Sequence, residues 1–150
     1  MPMTPESERV FVDTNVLIYS TFEDFEPEKH VQCTNILDKL IRSGTTLFIS
    51  SQILREFFAI STNQNIFKKP LTYKQAVEKM KEFVARFSMV HEKESTFNVL
   101  ITLIVKYAAS RQQIHDMNIV ATMVDNDINR LFSYNVKDFK QIREIHLYSL

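Results

Sequence analysis

The sequence predicts an α/β fold, a parallel sheet covered on both faces by helices. Three observations carry this. Short apolar runs rich in β-branched and aromatic residues recur along the chain, each too brief for a helix. Segments with helical apolar spacing separate them, and such alternation of strand and helix is the pattern of a parallel sheet. Several of the strand-like runs also end at a carboxylate or carboxamide, the sheet edge where ligands bind in open α/β folds. With 150 residues and 45% hydrophobic content, the chain is expected to form a single domain, residues 1–150, with a proper core.

Residues 1–8 read as a loose tail. Val10, Phe11 and Val12 form the first strand, and Asp13 follows at once, then Thr14 and Asn15. Thr14 to Thr21 reads as a short helix that Asp13 or Thr14 can cap. The acidic stretch Phe22 to His30, with Pro27, is an exposed connection, and Val31 to Ser43 an amphipathic helix closed by Gly44. Leu47, Phe48 and Ile49 make the second strand, with Ser50 and Ser51 supplying a cap for a helix to Thr62. On that helix Glu56 falls at the border of the apolar arc, whereas Arg55 points away from it.

A polar loop, 63–71, carries Lys68 and Lys69, and Thr72 to Phe87 is again amphipathic. Ser88 to His91 makes a short strand. Ser95 to Ala109 is apolar almost all round and is expected to be a central buried helix. From Ile114 to Asn126, Ile119, Val120, Met123 and Val124 define an apolar face, and Asn118, Thr122 and Asp125 the opposite one. Asp116 projects into the middle of the apolar face, where an unpartnered carboxylate would cost several kcal/mol or take up a proton. It is either a site residue or the N-cap of its own helix. Leu131 to Tyr134 and Ile145 to Tyr148 complete the strands.

Composition narrows the function. Formal net charge is zero, so any nucleic-acid binding must rest on a local patch. A single glycine, Gly44, rules out glycine-rich phosphate loops. The lone Cys33 rules out an intramolecular disulfide or a cysteine-rich zinc site and fits a reducing compartment, the cytoplasm. MPMTPESER has neither the basic nor the apolar region of a secretory signal, and no apolar run reaches a membrane span.

Asp13, Glu56, Asp116 and the pair Asn135 and Asp138 all fall on one predicted sheet edge. Carboxylates brought together raise one another's pKa unless a cation sits among them, and an oxygen-only donor set suits a hard ion, Mg²⁺ or Mn²⁺. The four histidines (His30, His91, His115 and His146) read as structural, since His115 points about 100° away from Asp116.

With VFVDTNVLIY at the front, the Glu of SSQILREFF, the Asp of IHDMNIVATM and SYNVKDF near the end, the sequence resembles the PIN-domain ribonucleases. Within them it is most similar to the VapC-type toxins of toxin–antitoxin pairs, over nearly the whole chain. The resemblance implies a small α/β/α sandwich with a short central parallel sheet, cleavage of RNA phosphodiesters, a cognate antitoxin and a homodimer. It implies metal-site roles for Asp13, Glu56 and Asp116, with Asn15 and Ser133 in support. At a fourth position where the family often has Asp, this chain has Asn135, and Asp138 is the nearby acid that could compensate. That departure puts metal stoichiometry in question, a second ion being expected to arrive with substrate. For RNA, the chain offers Arg55, Lys68 and Lys69, with Arg111, Arg130, Lys137 and Lys140 near the site edge.

One alternative keeps the fold and removes the chemistry: a catalytically silent PIN-like module that binds RNA or protein. A phosphatase with an aspartyl nucleophile fits less well, because Asn15 stands where such enzymes usually keep a second acid.

Overall fold

The computed structural model describes residues 8–150. The predicted tail therefore lies outside the described residues except for Glu8, which is anchored. Its carbonyl accepts from the Thr46 amide at 2.8 Å and its carboxylate pairs with Arg130.

Five strands, β1 (Arg9–Val12), β2 (Thr46–Ser50), β3 (Ser88–Val90), β4 (Arg130–Phe132) and β5 (His146–Leu147), form one sheet in the order β3-β2-β1-β4-β5. Every neighbouring pair is parallel. Between β1 and β2 run α1 (Thr14–Thr21) and α2 (Pro27–Arg42); α3 (Ser51–Ser61) and α4 (Tyr73–Arg86) follow. Of these four, α1 packs against both α2 and α3, and α3 packs against α4, while α5 (Glu94–Tyr107) packs on α6 (Ile114–Asp125). The chain thus winds outward from β1 to β3 and then returns through α5 and α6 to β4, on the other side of β1. The short α7 (Val136–Phe139) leads to β5. Helices cover both faces of the sheet, the α/β sandwich expected. β1 is the strand at which the winding reverses, and crevices form outside the carboxyl ends of strands at such a point.

The core is built on β1, whose Val10, Phe11 and Val12 are fully buried, with Leu131 and Phe132 of β4 and Ile49 of β2 beside them. A strand buried on both faces needs a continuous apolar run. Helix starts follow local capping chemistry: the Ser50 hydroxyl caps α3, and Thr72 with Gln75 forms a capping box on α4.

Three expectations need correction. Helix α2 begins at Pro27, four residues earlier than the apolar pattern indicates, because proline at the first helical position has its φ already set and no N–H to leave unpaired. Strand β4 ends at Phe132, so Ser133 and Tyr134 lie beyond it. Helix α5 is not central. Only Thr96 and Leu103 are buried, whereas Phe97, Ile101 and Val105 are 63%, 44% and 76% exposed. An all-round apolar helix can lie at the surface on one side when a single neighbouring helix covers the other.

Candidate metal centre

Asp13 leaves β1 directly. Its amide donates to the Phe132 carbonyl at 2.9 Å, extending the β1–β4 ladder by one residue and setting Asp13 beside Ser133. The carboxylate is 6% exposed and takes three neutral donors: the Ser133 hydroxyl at 2.7 Å, the Thr14 amide at 2.8 Å and the Asn15 amide at 3.3 Å. Asp13 is thus the N-cap of α1 as well as a residue of the sheet edge. Asn15 is tied on its other side, donating to Ser133 at 3.3 Å and accepting from the Tyr134 amide at 3.1 Å. Burial raises the Asp13 pKa above the usual carboxylate value of 3.8. The bonds from Ser133 and Thr14 oppose that rise and the nearby charge of Glu56 adds to it.

Glu56, one turn into α3 and half-buried, is reached through Thr14. The Thr14 hydroxyl donates to Oε2 at 2.8 Å, so consecutive residues of α1, Thr14 and Asn15, hold Glu56 of α3 and Asp13 at the end of β1. Its Oε1 accepts from Gln52 at 3.0 Å.

Asp116 lies in the first turn of α6 and does not cap it; the cap position belongs to Gln113. Among the described residues no donor bonds the half-buried Asp116 carboxylate. Burial, then the charges of Asp13, Asp138 and Glu56, push its pKa up to about 6, with His115 pulling the other way. Asn135 donates to Asp138 at 2.8 Å, and its backbone amide donates to the Ser133 hydroxyl at 2.9 Å. The departure at Asn135 is thus satisfied by a direct bond to the acid three residues on.

None of the ion pairs among the described residues involves Asp13, Glu56, Asp116 or Asp138. The edge accordingly carries several carboxylates whose partners are neutral. As they stand, no three His, Cys, Asp or Glu side chains among the described residues are close enough to hold an ion between them. The charges of Asp13, Asp138 and Glu56 nonetheless add to burial in raising the Asp116 pKa. In charge and donor chemistry the set fits an oxygen-liganded divalent cation.

Basic residues divide by position. Lys137 sits on α7 beside Asp138, and the exposed Arg111 lies just before the helix that carries Asp116. Arg130 lies elsewhere. It opens β4, at the amino end of the sheet, where it pairs with Glu8 and lies over Tyr148. Lys68 and Lys69 line a cleft of about 710 Å³ with Phe22, Phe25 and Phe67, at the end of α1 away from Asp13.

Sequence reasoning missed Gln52 and Asn118. Gln52 is 5% exposed and bonds Glu56, the His115 carbonyl and Asn118. Asn118 and Thr122 were expected on a face turned away from the apolar one, yet Thr122 is 1% exposed and Asn118 faces Gln52. The available signals were spacings: Gln52 one turn before Glu56, Asn118 two residues after Asp116.

A family model described as the PIN domain matches residues 10–145. No curated protein matches the chain. Among solved structures, the chain is similar to VapBC2 from Rickettsia felis bound to a promoter DNA fragment. That match has TM-score 0.68 and 20% identity, covering 93% of this chain and 97% of the other. It is similar also to a toxin–antitoxin complex from Klebsiella pneumoniae (TM-score 0.62, 18% identity, 94% and 99% covered). A third is Mycobacterium tuberculosis VapC20, described as a sarcin-ricin loop cleaving toxin (TM-score 0.65, 13% identity, 89% and 95% covered). At these identities the structural likeness speaks for the fold, and the family model, covering most of the sequence, speaks for descent: the chain belongs to the PIN domain family.

Proposed function

We propose that the protein is a ribonuclease that hydrolyses RNA phosphodiester bonds with Mg²⁺ or Mn²⁺, and that it serves as the toxin of a toxin–antitoxin pair. One observation carries the reading: Asp13, Glu56, Asp116 and Asp138 share a sheet edge with no cationic side chain among the described residues paired to them. Asp13, Glu56 and Asp116 are the proposed metal ligands, with Asp138 a fourth acid at the catalytic edge. A bound divalent ion would lower the pKa of water and offset charge on the phosphate oxygens.

The chain's own residues do the rest. Ser133 and the Thr14 amide hold Asp13 oriented and favour its charged form. Thr14 fixes one Glu56 oxygen, and Asn15 locks the β4 end to the β1 end. Asn135 restrains Asp138. Lys137 and Arg111 supply local positive charge for a phosphate backbone, on a chain of zero net charge, so RNA affinity should fall with salt by only a few phosphates' worth. A cognate antitoxin partner fits the likeness to toxin–antitoxin complexes, and a homodimer is proposed with it on the family resemblance.

A second reading, a silent PIN-like module that binds RNA or protein, has one observation in its favour: Asn135 stands at the fourth position and engages Asp138 itself. RNA cleavage separates the two. The purified protein should cut RNA with Mg²⁺ or Mn²⁺, stop with excess chelator, and lose activity in Asp13→Asn. Cleavage that persists in chelator would remove the metal from the mechanism. No cleavage of single-stranded or structured RNA would leave the silent module.

A further inference from the structure

Gln52 is buried in α3, and its side-chain amide makes three hydrogen bonds, to Glu56, the His115 carbonyl and Asn118. Its Nε2 donates at 3.0 Å to Glu56 Oε1 and at 3.0 Å to the carbonyl of His115, the residue before Asp116. Both partners are acceptors, so the group between them must be the NH₂. Gln52 Oε1 must then face a donor, and Asn118 Nδ2 supplies it at 2.8 Å. The other Asn118 N–H goes to Glu92 Oε1 at 2.6 Å, just past the end of β3. Direction is fixed along the whole chain by carboxylates at its two ends.

We infer that Gln52 and Asn118 are positioning residues for the metal site, a relay that holds Glu56 and the first turn of α6 in fixed relation and is anchored at Glu92. The inference rests on the reading of Glu56 and Asp116 as ligands. Glu56 sits on α3 and Asp116 on α6, on elements far apart in sequence, and Gln52 is the one side chain among the described residues bonded to both elements at the site. Partners that orient ligating carboxylates typically change metal affinity by about 10- to 100-fold when removed. With Thr14 already holding Oε2, the Gln52 bond leaves Glu56 little freedom to rotate.

The test measures free Mn²⁺ by electron paramagnetic resonance during titration of the parent, Gln52→Met and Asn118→Leu, with melting curves to establish folding. Gln52→Met keeps the volume and cannot donate. It should bind Mn²⁺ about 10-fold more weakly or worse, and need correspondingly more metal for half-maximal RNA cleavage, with kcat at saturating metal less affected. Asn118→Leu leaves Gln52 in place but unanchored and should weaken binding in the same direction, by less; it decides the matter if Gln52→Met fails to fold. A purely structural role would lower the melting temperature and leave the Mn²⁺ dissociation constant of the folded protein at the parent value, which would overturn the inference. A parent that binds no Mn²⁺ would overturn the metal-site reading and this inference together.

Discussion

Asp116 concentrates the electrostatics of the site in one group. Its pKa of about 6 stands above the ordinary 3.8, so the folded state binds the proton more tightly than the unfolded chain. Its contribution to stability is then fully present below pH 3.8 and is lost as pH rises through about 6. In chelator at pH 7, Asp116→Asn should therefore be more stable than the parent, by on the order of 1 kcal/mol once the half-exposed position is discounted for solvent screening. The advantage should shrink as the pH is lowered from 7 toward 4. Thermal melts across that range check the sign. An Asp116→Asn protein equal to the parent at pH 7 would mean that neither burial nor the neighbouring charges act on this carboxylate. At Asp138 the question is the bond from Asn135. If Asp138 serves the metal, Asp138→Ala should raise the Mg²⁺ needed for half-maximal cleavage. If it only stabilises the turn into α7, the change should cost about 1 kcal/mol and leave that titration alone.

Among the elements, α5 offers the sharpest contrast between two similar residues. Leu103 is 2% exposed and Val105 is 76% exposed on the same helix. Leu103→Ala should cost about 2–5 kcal/mol and Val105→Ala no more than about 0.5. Urea unfolding of the two variants checks this, and similar losses would place α5 in the core after all. The sequence was a poor guide here because apolar residues lie on every side of α5, and periodicity then names no face. It was a good guide where one strand must be apolar throughout, as in β1, or where a cap is chemically explicit, as at Ser50. The start of α2 was hidden because its first turn, PEKH, is polar and carries no apolar signal.

For the whole molecule, the strand order brings together residues that the sequence separates by more than a hundred positions, such as Asp13 and Ser133. The place of Asp13 at the sheet edge was legible because strand ends and sheet edge coincide in a parallel fold. Arg130 was misplaced for the complementary reason: lying at the start of its strand, it belongs to the opposite edge. Gln52 and Asn118 were invisible because neutral amides gain meaning only from what they touch. Glu92 was likewise hidden, its role set by a bond to Asn118 across to α6. The central claim, that this edge is a cation site, has a direct measurement in the melting temperature of the parent and of the Asp13→Asn, Asp116→Asn double variant as Mg²⁺ or Mn²⁺ is added. Saturating the parent at about 100 times its dissociation constant should stabilise it by about 2.7 kcal/mol, and the double variant should gain almost nothing. A parent whose melting temperature does not respond to either ion, or a double variant that gains as much as the parent, would contradict it.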